Sequence, residues 1–327
     1  MINLKKEGAM RFYGRIFFVS LLSLVVAFTA CKKGKQKILF IDSYHQGYEW
    51  SDGITKGVQS VVTPAGIDLK IVRMDTKRNP SEEFVKQAAL KVKATIEEYN
   101  PDLVIGADDN CAKFVIVPYY KNAKLPFVFC GLNWDASVYG FPTDNITGMI
   151  EVAMITQVVN YMKTYAKGNR MAIITADTET EHKENGNYKK MFHLDFKEYY
   201  VKSMKEFKEQ FAKMQQESDY YLFGSIAGIN DWKEDEMKAF IRKNIKIPSG
   251  TTYDYLMKYA LIGVTKVPEE QGEWAAQVAL KILGGTSPKD IPVVSNQKGN
   301  LYVNMTIAKK LNVTFSKAIL GSAIKVE

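Results

Sequence analysis

Histidine and cysteine are scarce in this sequence, with three residues of each among 327. His45, His182 and His193 stand in no metal-ligand spacing. No G-x-x-x-x-G-K-[ST] motif occurs, and no G-x-G-x-x-G motif follows an apolar run, so no phosphate-binding loop is predicted. Residues 224–228 place a serine near two glycines, but the spacing differs from that of a nucleophile elbow. We therefore expect no metal, no cofactor and no enzymatic activity.

The apolar run near the N terminus is short. Residues 16–28 contain thirteen mostly apolar positions, whereas a transmembrane helix needs about 20. Arg11 and Arg15 precede the run and small residues follow it, which is typical of a secretory signal peptide at residues 1–30, with Met1 or Met10 as the start. Residues 28–31, FTAC, resemble the bacterial lipobox, which implies a lipid on Cys31. The alternative is an ordinary signal peptide with an incidental cysteine.

An exported protein is expected to lie on the outer side of the membrane, facing the periplasm or the cell exterior. With lipid on Cys31, residues 31–36 would be a tether to a bacterial membrane. The other cysteines, Cys111 and Cys130, lie at or beyond the ends of apolar runs, and we expect two buried free thiols, with a disulfide as the alternative.

Basic residues exceed acidic ones, but not in the pattern of a nucleic-acid-binding protein. The formal net charge is +8, and Lys5, Lys6, Arg11 and Arg15 fall within the leader. The remaining charges are interspersed, and no basic stripe alternates with aromatic residues. A composition of 46% hydrophobic and 24% charged residues is ordinary for a globular protein. We expect a monomer that binds no nucleic acid.

The rest of the chain is organised around residues 37–57, KILFIDSYHQGYEWSDGITKG. Residues 38–41 form a continuous apolar run, as expected for a parallel strand buried on both faces. Polar and aromatic residues follow, and Ser51 or Asp52 could cap a helix that turns Ile54 and Val58 inward. Ligands of open α/β sheets bind beyond the carboxyl ends of the strands. This loop is therefore a candidate ligand wall.

The same alternation of strand and helix repeats along the chain. Strands are predicted at residues 67–74, 103–105 and 125–130 in a first half, and at 171–175, 196–201, 220–223 and 247–251 in a second half. Further strands at 145–151, 261–265, 291–294 and 301–304 are predicted to connect the halves. The predicted fold is α/β, with two Rossmann-like lobes of parallel strands joined by a multi-strand hinge. The lobes are predicted at 37–148 with 266–290, and at 149–265 with 291–327.

Four segments resemble one known family: ILFIDSYHQGYEWSDGITKG, RMDTKRNPSEEF, PDLVIGADDNCAKFVIVPYY and LPFVFCGLNWDASVYG. They are similar to ABC-transporter substrate-binding proteins of the uncharacterised-transport-system type, which resemble type I periplasmic binding proteins. The resemblance extends from Lys37 to the C terminus. It implies two lobes that close on a small molecule and deliver it to an ABC permease. Related proteins bind various solutes, aromatic amino acids among them, and some related domains are sensors attached to kinases.

The candidate ligand-binding residues lie at predicted strand ends and suit a small zwitterionic or aromatic solute. Aromatic rings could stack on a planar group, acidic groups could hold an ammonium, and Ser43, Ser225 or helix N-terminal amides could hold a carboxylate. Alternatively, Tyr48 and Trp50 pack under the first helix. The candidates are Ser43, Tyr44, Tyr48, Trp50, Asp75, Asp108, Asp109, Asn133, Trp134, Asp177, Ser225, Tyr253 and Asp254.

Three functional hypotheses follow. The first is an extracytoplasmic binding lipoprotein that delivers a small molecule to an ABC permease. The second uses the same closure to signal to a sensor kinase or chemoreceptor. The third is an exported hydrolase on a similar fold, although Asp108 and Asp109, being adjacent in a strand-like segment, would point apart and form no catalytic carboxyl pair.

Overall fold

Runs of apolar residues form the strands of two separate sheets in the computed structural model, which describes residues 34–327. The predicted signal peptide and Cys31 lie outside the described residues. The strands are β1 (Lys37–Asp42), β2 (Asp68–Arg73), β3 (Leu103–Ala107), β4 (Phe127–Asn133), β5 (Ile146–Glu151), β6 (Met171–Ala176), β7 (Lys197–Val201), β8 (Tyr220–Phe223), β9 (Ser249–Thr251), β10 (Ile262–Lys266), β11 (Val294–Ser295), β12 (Gly299–Asn304) and β13 (Ile324–Val326).

The helices alternate with these strands. The α-helices are α1 (Glu49–Val62), α2 (Glu82–Tyr99), α3 (Asp108–Cys111), α4 (Val117–Tyr119), α5 (Ile155–Tyr165), α6 (Glu179–Phe192), α7 (Met204–Glu217), α8 (Glu234–Asn244), α9 (Pro268–Leu283), α10 (Met305–Leu311) and α11 (Lys317–Ser322). A π-helical turn, Ala112–Ile116, joins α3 to α4.

The first sheet has the strand order β11-β5-β4-β3-β1-β2, and all of its pairs are parallel. Leu39 and Ile41 of β1 face a core shared with α2, whereas Ile38 and Phe40 face a core shared with α1 and α9. Both faces are therefore buried, as the continuous apolar run predicts. We call this sheet with its helices the first lobe.

The second sheet has the order β13-β12-β10-β9-β8-β6-β7 and is parallel except where β12 runs against β10. Its core includes Val158 and Met162 of α5 and Phe207 and Phe211 of α7. We call this sheet with its helices the second lobe. The α/β fold with two mainly parallel sheets is confirmed.

Helix α9 follows the last residue of the second sheet's β10 but packs on the first lobe. A Cβ on Gly57 of α1 would lie 2.3 Å from the carbonyl oxygen of Glu269, and one on Gly272 would lie 2.1 Å from that of Ile54. Glycine at both positions therefore allows the two helix backbones to touch. The N-termini of α1 and α9 consequently lie side by side.

Three segments connect the lobes: residues 152–154, Val267 and residues 296–298. The Asn296 side chain accepts from the Val152 N–H at 2.8 Å and donates to its carbonyl at 3.1 Å. The Glu270 carboxylate accepts from the N–H groups of Gln297 and Lys298 at 2.9 and 2.8 Å. These bonds join neighbouring crossings, so the three segments form one hinge.

Candidate functional site

The loop after β1 is fixed from within by two buried side chains. Asp42 Oδ1 accepts from the Tyr44 N–H at 2.9 Å and from the Ser51 hydroxyl at 2.8 Å. Ser43 Oγ donates to the Ala107 carbonyl at 2.6 Å and accepts from the Cys111 N–H at 2.9 Å. The loop therefore holds its aromatic side chains in place at the carboxyl end of β1.

Helix α1 begins at Glu49, so the prediction that Ser51 or Asp52 caps it is wrong. Tyr48 is the residue before the helix, and its side chain makes no capping bond. Ser51 bonds back to Asp42, and Asp52 accepts from the Gly47 N–H at 2.9 Å. The helix starts before the predicted caps because the Ser51–Asp42 and Gly47–Asp52 bonds stabilise its first turn.

A cavity of about 250 Å³ lies at the carboxyl edge of the first sheet, where parallel-sheet proteins bind ligands. Its wall is formed by five parts of the first lobe, at loops, helix starts and strand ends, and by one residue of β10. The lining residues are Tyr44, Tyr48, Trp50, Lys77, Asp108, Asn133, Glu151 and Lys266.

The aromatic part of this wall already contacts two ammonium groups. Tyr44 and Tyr48 meet edge to face with ring centroids 5.5 Å apart, and Lys77 Nζ lies 5.2 and 5.0 Å from them. Lys266 Nζ lies 5.3 Å from the ring of Trp50. Distances under about 6 Å favour cation–π attraction, so these rings offer flat, electron-rich faces to a cation or a planar group.

Asp108 is the most deeply buried acid of the cavity, at 2% exposed. Its Oδ1 accepts from the Trp50 indole N–H at 3.0 Å, while its Oδ2 has no hydrogen-bond partner among the described residues. Burial, and then the charge of Glu151, raise the pKa of Asp108 well above its usual value. The carboxyl group is therefore held next to the cavity without a cation.

The backbone at Asp108 is left-handed, with φ of +66°. Asp108 opens α3, so the prediction of a strand-like segment at Asp108 and Asp109 is wrong. The two carboxyl groups nevertheless have different partners, because Asp109 accepts from Asn133 Nδ2 at 2.6 Å and from the Tyr139 hydroxyl at 2.7 Å. A left-handed aspartate followed by a π-helical turn is the kind of strained geometry that clusters at functional sites.

Glu151 and Lys266 form an ion pair at the hinge. Glu151 ends β5 of the first sheet, and Lys266 ends β10 of the second. Burial raises the pKa of Glu151, and Lys266 partly offsets this rise. Because each residue precedes a crossing, the pair connects the cavity to the segments about which the lobes would move.

A larger cleft of about 720 Å³ continues from this cavity and shares Tyr48, Trp50 and Lys266 with it. One side is formed by the N-terminal turns of α1 and α9. The other is formed by residues of the second lobe, including Tyr253, Asp254 and Tyr302. The cleft therefore lies between the two lobes, and its inner end is the cavity that contains Asp108.

The sequence model described as "ABC transporter substrate binding protein" matches residues 45–327. The chain belongs to this family. Proteins of the family are extracytoplasmic, in general non-catalytic, and bind a small molecule for an ABC transporter. No curated relative matches the chain in sequence.

Solved structures support the type I periplasmic-binding-protein fold. The ligand-free, open structure of CD0873, a substrate binding protein with adhesive properties from Clostridium difficile, is 16% identical, with a TM-score of 0.69 over 89% of this chain and 99% of that one. A conserved domain protein from Vibrio cholerae is 16% identical, with a TM-score of 0.54 over 90% and 100%. An ABC domain in complex with L-Trp from Streptococcus pneumonia is 17% identical, with a TM-score of 0.51 over 89% and 100%.

In this member of the family, seven predicted site residues line the cavity or the cleft. Tyr44, Tyr48, Trp50, Asp108 and Asn133 line the cavity, and Tyr253 and Asp254 line the second-lobe side of the cleft. Their role in ligand binding remains a prediction. Lys77, Glu151 and Lys266 complete the cavity and are absent from the sequence-based set. A charged residue at the end of each crossing strand is the signal that could have identified Glu151 and Lys266.

Trp134 lies outside this cavity. Its indole N–H donates to Glu184 at 2.9 Å, and its ring meets Tyr188 and Phe192 edge to face at centroid distances of 5.7 and 6.3 Å. These three residues belong to α6 of the second lobe. Burial raises the pKa of Glu184, and the indole bond opposes that rise. The tryptophan is thus covered by protein and contributes a contact between the lobes.

The remaining predicted site residues are bonded to nearby protein groups. Asp75 accepts from Arg78 Nε at 2.6 Å, and Asp177 accepts from His182 Nε2 at 2.8 Å. Ser225 Oγ lies 3.3 Å from the Tyr255 hydroxyl oxygen and accepts from the Ala227 N–H. Like Ser43 and Asp109, described above, these residues line neither the cavity nor the cleft, and their role also remains a prediction.

Three further findings apply to residues 34–327. No group of histidine, cysteine and acidic residues there could hold a metal ion. No helix in that part combines the length and apolar character needed to cross a membrane. Cys111 and Cys130 are buried free thiols, as predicted.

Proposed function

We propose that this protein captures a small zwitterionic solute between its lobes and delivers it to an ABC permease. The observation that carries the proposal is the cavity at the carboxyl edge of the first sheet, in which a buried carboxyl group with a free oxygen lies beside three aromatic rings. This combination suits an amino acid with a planar side chain, because the carboxyl group can pair with an ammonium group and the rings favour a flat partner.

The residues divide the recognition between them. The ligand's ammonium group would bind Asp108 Oδ2, and its planar part would pack against Tyr44, Tyr48 or Trp50. Lys77 would supply a cation for the ligand carboxylate, since its ammonium is exposed and rests on the two tyrosine rings. One structure of the same fold is an ABC domain in complex with L-Trp, which supports an amino acid as the class of ligand.

Closure of the cleft would complete the site. Tyr253 and Asp254 lie on the second-lobe side of the 720 Å³ cleft, facing the N-terminal turns of α1 and α9. Rotation of the lobes about the three hinge segments would bring Tyr253 and Asp254 over the solute and exclude water from it. The closed form is the one that the permease would recognise.

We propose further that the protein acts as a monomer and is anchored through a lipid on Cys31. The lipobox-like residues 28–31 and the short tether support this assignment, and both precede the described fold. The anchor would keep the binding lobes close to the permease on the outer side of the membrane.

Native mass spectrometry of residues 32–327, purified without denaturation, tests the proposal, followed by thermal melts against amino acids and other metabolites. We expect a bound small-molecule mass, or a stabilisation of about 2.7 kcal/mol at a hundredfold excess of ligand over its dissociation constant. Release of a chemically unchanged solute would exclude a hydrolase. Absence of any bound mass or shift across the panel would contradict solute capture and favour the sensor hypothesis.

A further inference from the structure

Asp108 is a buried acid with one oxygen that no described group satisfies. Its side chain is 2% exposed and lines the 250 Å³ cavity, and only Oδ1 is engaged, by the Trp50 N–H. Most buried polar atoms in folded proteins have a hydrogen-bond partner, and a charged one without a partner is costly. The oxygen therefore requires a donor that the protein does not supply: its own proton, a bound cation or a water molecule.

The groups that face Asp108 favour the proton while the cavity is empty. Acidic groups or groups that ionise to anions approach it from β1, from the loop after β1, from β4, from β5 and from its own helix. They are Asp42, Tyr44, Cys130, Glu151, Asp109 and Cys111.

The two cations of the cavity have other partners. Lys266 pairs with Glu151 and lies over Trp50, and Lys77 lies over Tyr44 and Tyr48. Neither forms a salt bridge with Asp108 among the described residues. Burial without a cation, beside Glu151, also raises the pKa of Asp108, in agreement with the contacts.

We infer that Asp108 carries a proton in the empty protein and releases it when the ammonium group of a solute binds at Oδ2. The inference rests on the proposed function. The O–H bond at the carboxyl group breaks, its electron pair stays on the oxygen, and the proton passes to water. The carboxylate that remains pairs with the ammonium, so about one proton leaves for each solute captured.

Two consequences follow for recognition. Acid weakens capture, because the proton competes with the solute for the same oxygen: affinity falls by up to about tenfold for each pH unit below the pKa of the empty protein. A solute without an ammonium group leaves the carboxyl group protonated, so it binds without proton release. Asp108 thus selects solutes by the presence of a cationic group.

Asp108→Asn is the informative variant. Asparagine tolerates the left-handed backbone of this position, and its carbonyl oxygen can accept the Trp50 N–H as Oδ1 does. Asp102→Asn is the matched control, because Asp102 lies at the opposite edge of the same sheet, where it accepts from the Lys37 N–H at 2.8 Å. Both variants remove one carboxyl group, and only the first removes the group in the cavity.

The proton is observed directly by carbon-13 NMR of the empty protein labelled at the aspartate carboxyl carbons. We expect a resonance of a protonated carboxyl group near neutral pH in the wild type and in Asp102→Asn, and its loss in Asp108→Asn. A wild-type spectrum in which every aspartate titrates near the usual value of about 4 would overturn the inference without any ligand.

Proton release is measured by calorimetry with L-tryptophan and indole-3-propionate, its analogue without the ammonium group, in two buffers of different ionisation enthalpy. We expect release of about one proton with the amino acid in the wild type and in Asp102→Asn, and none with the analogue. Binding of the amino acid without release would overturn the inference and leave the proposed function standing. Failure of L-tryptophan and of every other amino acid to bind would instead contradict the proposed amino-acid ligand and, with it, ligand-linked release.

Discussion

The two lobes carry similar polar groups at their strand ends but satisfy them differently. In the first lobe, Asp108 lines the cavity, and its buried Oδ2 has no hydrogen-bond partner among the described residues. In the second lobe, Oε2 of buried Glu181 accepts from the Thr175 hydroxyl and from the Ser225 N–H at 3.2 Å. Asp177 at the end of β6 accepts from His182, and Lys202 lies 3.3 Å from its other oxygen.

The difference indicates a division of labour between the lobes. A buried group that is already bonded gains little from a ligand, whereas an unpaired one gains the whole of a charge-assisted bond. On the proposed function, the first lobe is therefore the wall that recognises the solute. The second lobe would supply the surface that closes over it, and Glu184 of its α6 provides the contact with Trp134.

Replacement of Asp108 by asparagine should have the largest effect, because it removes the unpaired carboxyl oxygen that distinguishes the first lobe. We expect a loss of solute affinity of about tenfold to a hundredfold, because a hydrogen bond to a charged group contributes about 1.5–3 kcal/mol. The empty variant should melt no lower than the wild type, since it lacks the desolvated carboxyl group. Calorimetry and thermal unfolding measure the two effects, and unchanged affinity would disprove the role of Asp108.

Glu181→Gln should show the reverse of the Asp108→Asn result, with lower stability and nearly unchanged solute affinity. It removes the charge of a buried acid whose Oε2 accepts two hydrogen bonds, so the free energy of unfolding should fall by about 1–3 kcal/mol. Solute affinity should stay within about twofold, because Glu181 lines neither the cavity nor the cleft. Urea unfolding beside calorimetry provides the measurement. A large loss of affinity at unchanged stability would place the recognising wall in the second lobe as well.

Two tryptophans sharpen the comparison further. Trp50→Phe removes the N–H on Asp108 and part of the aromatic face, so affinity should fall about tenfold. Trp232 is its counterpart in the second-lobe core, where its N–H donates to the Tyr259 hydroxyl at 3.0 Å. Trp232→Phe should lower stability by about 1 kcal/mol and leave affinity unchanged. Equal losses of affinity in both variants would contradict the account.

The pH dependence of stability tests the comparison in the empty protein. Because the folded protein raises the pKa of Asp108, its protonated form stabilises the fold fully below the unfolded pKa of about 4, and this contribution is lost as pH rises through the folded pKa. The unfolding free energy of the wild type relative to Asp108→Asn should therefore decline from pH 4 upward, by at most about 1.4 kcal/mol per pH unit. Urea unfolding of both proteins across the range tests this. Parallel pH profiles would show that Asp108 titrates normally.

Much of the fold follows from local patterns. The strands β1 to β5 of the first sheet were predictable because each is a short apolar or alternating run that ends in polar residues. Parallel strands bring such ends to one edge, which is why Tyr44, Trp50, Asp108 and Asn133 could be assigned to one site before the structure was known.

Helix α6 was not predictable from the sequence, although it supplies the residues that pack against Trp134. Its sequence, ETEHKENGNYKKMF, is polar on all sides, and only Glu181, Asn185 and Tyr188 are buried. Apolar periodicity, the main helix signal, is therefore missing. Trp134 was predicted to bind the ligand, whereas its ring packs against Tyr188 and Phe192 of α6.

The charged residues that complete the cavity also could not be predicted from the sequence. Lys77, Glu151 and Lys266 come from three distant segments and meet only because the crossings fold back on the first sheet. The side chain of Asp108 also depends on a neighbour distant in sequence, because a Cβ on Gly131 would lie 2.9 Å from Asp108 Oδ1. Such tertiary proximity leaves no periodic trace in the chain.

The most direct test is native mass spectrometry of the wild type, Asp108→Asn and Glu181→Gln, each purified without denaturation from the same host. The account predicts the same small-molecule mass on the wild type and on Glu181→Gln, and no such mass on Asp108→Asn. A solute retained by Asp108→Asn, or lost only from a folded Glu181→Gln, would contradict the assignment of recognition to the first lobe.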